Sequence, residues 1–160
     1  MKKLSIVLLF FLFLNFPYVS IASDREMEVI LTASEGLFKA MKGKNYKRIW
    51  ESITHKSQKT IEKDVYKAII KSGTNISEEQ VSSDFTNCAN LCQSYWNAFL
   101  INFDPDLVLN HSKWEMGTVK KDEAEIIITY KKSERPAILK LFKEGGQWRV
   151  GLVETFWTRK

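Results

Sequence analysis

Cysteine is nearly absent from this 160-residue chain, which has only Cys88 and Cys92. Two thiols cannot complete a zinc site, which usually takes four ligands. Their spacing is not the C-x-x-C of a thioredoxin-like redox centre. Histidine is as scarce, at His55 and His111. No H-E-x-x-H, G-x-S-x-G or phosphate-binding glycine loop occurs, so no motif calls for a metal or a cofactor. Charge of one sign is not massed anywhere. Lysines are interspersed with acids, as in "KKDEAE" and "IEKDVYK", which describes a solvated surface rather than a nucleic-acid stripe. Repeats and low-complexity linkers are lacking. Beyond residue 22 no apolar run is long enough to cross a membrane.

One long apolar run is present at the start. Lys2 and Lys3 precede a nearly unbroken apolar stretch from Leu4 to Phe16. Pro17 breaks it, and Ser20-Ile21-Ala22 has the small-x-small form that signal peptidase accepts. Residues 1–22 are therefore read as a Sec-type signal peptide. Residues 23–160 are read as one exported domain, periplasmic or extracellular, without stable membrane insertion. No cysteine sits at the cut to carry a lipid. The mature chain of about 138 residues suffices for one core that buries roughly two-thirds of the unfolded surface. Removing the two leader lysines lowers the net charge from +5 to +3.

Hydrophobic periodicity divides that domain in two. Val29, Ile30, Ala33, Leu37, Phe38 and Met41 recur at three and four, which predicts a helix over 26–41. Gly43 and Asn45 stop it and start a short second helix with Tyr46, Ile49, Trp50 and Ile53. Ser57 is read as the cap of a third helix running to about Lys71. Ser77 and Gln80 have capping-box spacing, opening a fourth helical stretch to about Phe103 with a break near Asn87. After Asp104-Pro105 the period becomes two. Trp114, Met116 and Thr118 alternate, as do Ala124, Ile126, Ile128 and Tyr130. "PAILKLF" and "QWRVGLVETFW" flank Glu144-Gly145-Gly146, a strong hairpin signal. Helices followed by a meander of about four strands predict an α+β domain with the helices on one side of an antiparallel sheet.

The stretch "FKAMKGKNYKRIWESIT" resembles the helical opening of the NTF2-like (cystatin-like α+β cone) superfamily. The phrase "ILKLFKEGGQWRVGLVETFW" resembles its last two strands. The likeness runs from about Glu26 to Trp157, apart from the helical stretch 77–103. It implies helices on the concave face of a curved sheet, with a pocket at the cone's open end. Tyr46 and Trp50, one turn apart, would wedge between the first helix and the sheet.

If the last strand runs through to Trp157, Trp148, Val150, Leu152, Glu154 and Phe156 share the concave face. Glu154 would then sit among apolar neighbours with a raised pKa, able to act as a general base, as carboxylates do in the superfamily's isomerases and dehydratases. The competing reading sets Glu154 at the strand end, paired at the rim. The pocket lining would be Tyr46, Trp50, Trp96, Trp114, Trp148 and Phe156, although core packing explains the Trp96, Phe99, Phe103 spacing as well. His55 and His111 are read as surface or capping residues, the latter near Asp104 and Asp106. Cys88 and Cys92, four apart on a helix, would lie about 6 Å apart, within disulfide range, and an oxidising compartment favours the bond. Val153 and Trp157, on the opposite sheet face, would mark a homodimer surface. The leading functional expectation is a non-catalytic domain binding a small apolar ligand or a partner protein in the cell envelope. An isomerase or dehydratase with Glu154 as base and a structural dimerising domain are the alternatives.

Overall fold

The computed structural model describes residues 23–133 and 135–157; the expected leader and its cleavage pattern lie outside them. Among the described residues the order is α1 (Asp24–Lys42), α2 (Tyr46–Ser52), α3 (His55–Lys71), α4 (Glu78–Asn87), α5 (Asn90–Asn102) and α6 (Pro105–Asn110). Then come β1 (Ser112–Val119), β2 (Glu123–Tyr130), β3 (Ala137–Glu144), β4 (Gln147–Val150) and α7 (Leu152–Phe156). The strands form one antiparallel meander, β1-β2-β3-β4, with the helices packed against it. This is the predicted α+β class.

Local chemistry sets most boundaries. Ser23 accepts the Glu26 N–H at 3.3 Å and caps α1, whose first turn holds Asp24 and Glu26 and whose last holds Lys39 and Lys42. Ile30, Ser34, Leu37, Phe38 and Met41 form its buried stripe. Asn45 caps α2 through the Arg48 N–H at 3.1 Å. Ser77 and Gln80 make both bonds of the capping box on α4, at 3.2 and 2.8 Å. The predicted break falls at Cys88, which adopts the left-handed conformation with φ 48°. Cys88 is joined by a disulfide to Cys92 in the first turn of α5, with Cα atoms 4.9 Å apart. The two thus close a corner between helices instead of sharing one helical face. Asp84 Oδ1 accepts the Cys92 N–H at 2.9 Å, capping a helix whose own N-cap, Ala89, has no side-chain acceptor.

In the sheet, Ala124, Ile126 and Ile128 alternate inward and pair with Leu141, Leu139 and Ala137 on β3. Gly145 and Gly146 turn β3 into β4 with φ 57° and 80°, a two-residue hairpin that side chains would strain. Trp96, Phe38, Phe85, Leu37 and Leu141 are among the fully buried side chains of one continuous core.

The structure corrects four expectations. Thr54, not Ser57, caps α3; its hydroxyl accepts the Ser57 N–H at 3.1 Å, and Ser57 is wholly buried. The segment after Asp104 forms a helix, α6, because Asp104 accepts the Asp106 N–H and Pro105 suits a first helical position. Trp50 does not wedge against the sheet; it packs on Phe85 of α4, ring centroids 4.7 Å apart. Most consequentially, the last strand ends at Val150. A Cβ on Gly151 would lie 2.7 Å from the Phe142 ring, so the chain passes close over that ring and leaves the sheet. Residues 152–156 then coil into α7, and the alternation that set Glu154 and Phe156 beside Trp148 does not apply.

Candidate functional site

The turn into α7 builds a polar cluster at the start of α3. The segment between α2 and α3 runs beside β4: Ile53 bridges Val150 in parallel, and the Thr54 N–H donates to the Val150 carbonyl at 2.9 Å. Thr54 and Ser57 therefore meet Glu154. Ser57 Oγ donates to Glu154 Oε2 at 2.8 Å and accepts the Val153 N–H at 3.1 Å. Thr54 Oγ1 lies 3.1 Å from Glu154 Oε1 and 2.8 Å from Ser57 Oγ. A second carboxylate, Glu144, accepts the His55 N–H at 3.0 Å. Both acids gain from the positive end of the helix dipole.

This arrangement holds Glu154 as a clamp between α7 and α3. Both carboxylate oxygens face hydroxyls, and Ser57 has no exposed surface from which to meet a substrate. The sequence offers Ser57 only as a helix cap and does not single out Thr54. The signal was the cap itself, a threonine between the short helix and the next apolar period.

The histidines behave as capping or surface groups. His55 is the exposed first residue of α3, and His111 caps the end of α6. His111 Nε2 does approach Asp106 Oδ2, at 3.7 Å. Asp106, however, accepts from Lys42 and from Asn110, and the Lys42 hydrogen bond foremost holds its carboxyl below the usual range. A carboxylate so stabilised is a weak base at neutral pH. Tyr95 is held between Phe85 and Trp96. Burial, helped by the charge of Asp64, pushes its phenol up to about 12, so it stays protonated.

The six residues expected to line a cup do not converge. Trp96 is wholly buried among Tyr95 and Phe99, and its indole N–H has no hydrogen-bond partner among the described residues. Trp50 is buried on Phe85. Tyr46 donates to Asn97 on α5. Trp114 donates to the Val108 carbonyl at 2.9 Å and sets its edge to Phe38. Phe156, 43% exposed, leans on Phe103 at the molecule's surface. The homodimer pair fares similarly. Val153 is buried on α7, Trp157 stacks with Phe99, and neither lies on the outer sheet face. That face instead carries Lys113, Glu115, Glu125, Lys140 and Arg149 around Ile127 and Ile138.

Trp148 is the exception. It is buried beneath the Lys143 ammonium, 5.4 Å from the ring centroid, and it borders the largest concavity described, an open groove of about 790 Å³. One wall is the stripe of α1 from exposed Arg25 and Val29 to half-buried Ala33 and Gly36. The other is Arg48, Glu51 and Ser52 of α2 with Gly146 to Arg149 of the last hairpin. Arg149 is committed to the Glu51 carbonyl and lies 3.8 Å from Glu144. Arg25 and Arg48 have guanidinium groups without hydrogen bonds or ion pairs among the described residues. The β3–β4 register, in which Gly151 N–H bonds Lys140 O, turns the Trp148 N–H and C=O away from β3, toward this groove.

Among the described residues no cluster of three or more His, Cys, Asp or Glu could hold a metal, and no helix is long and apolar enough to cross a membrane. No protein-family model, no curated protein and no solved structure matches this chain.

Proposed function

We propose that this chain is an exported, non-catalytic binding module of NTF2-like type that holds an extended segment of a partner protein in the groove between α1 and the last hairpin. The observation that carries the reading is the contrast between a filled interior and an open groove. Most of the aromatic residues that would have received a small apolar ligand are spent on packing, while the largest concavity described is open and chemically mixed. Small-molecule sites enclose most of their ligand, and this groove would enclose little. It offers what an extended polypeptide uses: backbone groups at Trp148, apolar floor at Val29 and Ala33, and uncommitted guanidinium groups at Arg25 and Arg48. Helices followed by a four-stranded meander support the superfamily reading, and the leader composition supports export.

The test is site-specific photo-crosslinking in the exporting cell. A photoreactive residue is placed at Val29 or Gln147, with Lys67 on α3 as the control. One polypeptide segment, recovered by peptide sequencing from both groove positions and absent at Lys67, is the expected result. Gly36→Trp fills the groove without meeting core atoms, since nothing lies within 4 Å of a Cβ there, and should abolish the adduct. A small molecule found by native mass spectrometry in place of a peptide would overturn the reading. So would adducts that ignore Gly36→Trp.

A further inference from the structure

At the other end of the sheet β1 pairs with β2 on one side and with no strand on the other among the described residues. β1 is an edge by the strand order, and it is in regular register from Ser112 to Met116 before the register shifts ahead of Val119. The Lys131 N–H donates to the His111 carbonyl, which fixes the phase of the β1–β2 ladder. The His111 carbonyl and the backbone groups of Lys113 and Glu115 then face β2, and Ser112, Trp114 and Met116 turn theirs outward. None of these outward groups is hydrogen-bonded elsewhere among the described residues. Proline, one way to blunt such an edge, is absent from β1.

We propose that two copies of this chain pair antiparallel along β1, about a two-fold axis through Trp114, to make one continuous sheet of eight strands across the dimer. Charge selects both the partner and the register. Lys113 and Glu115 are exposed on the outer sheet face, with side chains 72% and 51% accessible, and form a solvent-exposed ion pair of 3.0 Å within the chain that the partner's charges would extend. Centred on Trp114, the pairing sets Lys113 opposite Glu115 of the second copy, twice. Moving the axis one residue back sets Lys113 against Lys113, and one residue forward sets Glu115 against Glu115. Like charges directly opposite are unfavourable, and opposite charges are favourable. The same centre brings each outward residue against an outward residue: Ser112 with Met116, Trp114 with Trp114. That gives about six inter-chain backbone hydrogen bonds, two for each bonded pair. On the helix side a recess of about 420 Å³ beside Trp114, bounded by Leu31, Lys42 and Leu109, leaves room for the partner's indole. The contact is short, so the dimer is weak and forms with rising concentration.

Sedimentation velocity of the purified protein up to about 1 mM, where a contact this small is populated, reads the dimer fraction. Lys113→Glu alone and Glu115→Lys alone should each weaken dimerisation about tenfold or more, because two attractive cross-pairs become repulsive. An equimolar mixture of the two variants should dimerise, since every cross-pair is again opposite in sign. The double variant should match the wild-type protein. Amide exchange should slow with concentration at Ser112, Trp114 and Met116, and not at Lys113 or Glu115, already bonded to β2. A wild-type protein that stays monomeric throughout overturns the proposal. So do single variants that dimerise undiminished, a mixture that stays monomeric, or protection that appears away from those three amides.

Discussion

At the β4 edge, the Thr54 N–H meets the Val150 carbonyl, Ile53 bridges the strand, and the Arg149 guanidinium reaches the Glu51 carbonyl. Where β4 ends, α7 continues the cover: Gly151 N–H bonds the Lys140 carbonyl, and Thr155 Oγ1 accepts the Lys140 N–H at 3.0 Å. At the β1 edge, by contrast, three residues present backbone groups with no partner among the described residues, guarded by one register shift and two charges. The same sheet thus closes one side from Val150 onward with buried hydroxyls and a carboxylate, leaving only Trp148 toward the groove, and leaves the other side available along β1. A covered edge contributes to the stability of the single chain. An open edge contributes to association, so damage to the two should be read by different experiments.

The largest effect should come from breaking the covered side at its apolar centre. Ile53→Ala removes a fully buried side chain at the bridge and should cost about 2–5 kcal/mol in urea unfolding. Gly151→Ala comes next: its methyl would press on the Phe142 ring, and the shift needed to relieve it should cost about 1–3 kcal/mol by the same measurement. Ser57→Ala leaves the Val153 N–H without its acceptor and Glu154 short of a donor, for about 1–3 kcal/mol. A Ser57→Ala protein as stable as wild type would show that the clamp is not what closes this edge. On the open side, Lys113→Glu should change the stability of the isolated chain by less than about 0.5 kcal/mol, as expected of an exposed strand position.

The smallest effect sits beside the open edge, at the α1–α6 link. Asp106 is held below the ordinary carboxylate pKa by Lys42 first and Asn110 next. A depressed folded-state pKa stabilises the fold above the unfolded value and loses that contribution as pH falls through the folded value. The difference in thermal midpoint between wild type and Asp106→Asn should therefore be present at neutral pH and shrink below about pH 3.9. A difference that stays constant into strong acid would mean that the Lys42 contact does not lower Asp106.

Much of the covered side was hard to foresee, and particular residues show why. "GLVETFW" alternates as convincingly as a strand should, yet five residues satisfy a period of two and a single helical turn almost equally. What separates them is the Phe142 ring against Gly151, a neighbour from another strand. Glu154 was legible as an acid among apolar residues, but its role depends on Thr54 and Ser57, about a hundred positions away in the chain. The groove was not legible at all. Arg25, Arg48 and Trp148 come from three separate elements, and nothing local marks them as neighbours. The open edge was nearer to legible: Lys113 and Glu115 flank Trp114 in plain alternation, and only the strand order makes β1 an edge.

By itself the sequence determined the class of the domain: helices α1 to α5, the starts at Asn45 and Ser77, then a four-stranded meander whose last turn is Gly-Gly. Those features rest on forces that act within a few residues, such as side-chain capping, periodic burial and backbone freedom. Tertiary structure alone decided that the aromatic residues fill the core rather than line a cup, that the last strand coils into α7, and which edge is closed. Each of those outcomes is set by van der Waals contact and hydrogen bonding between residues remote in the chain, and periodicity along one segment carries no record of what will pack against it.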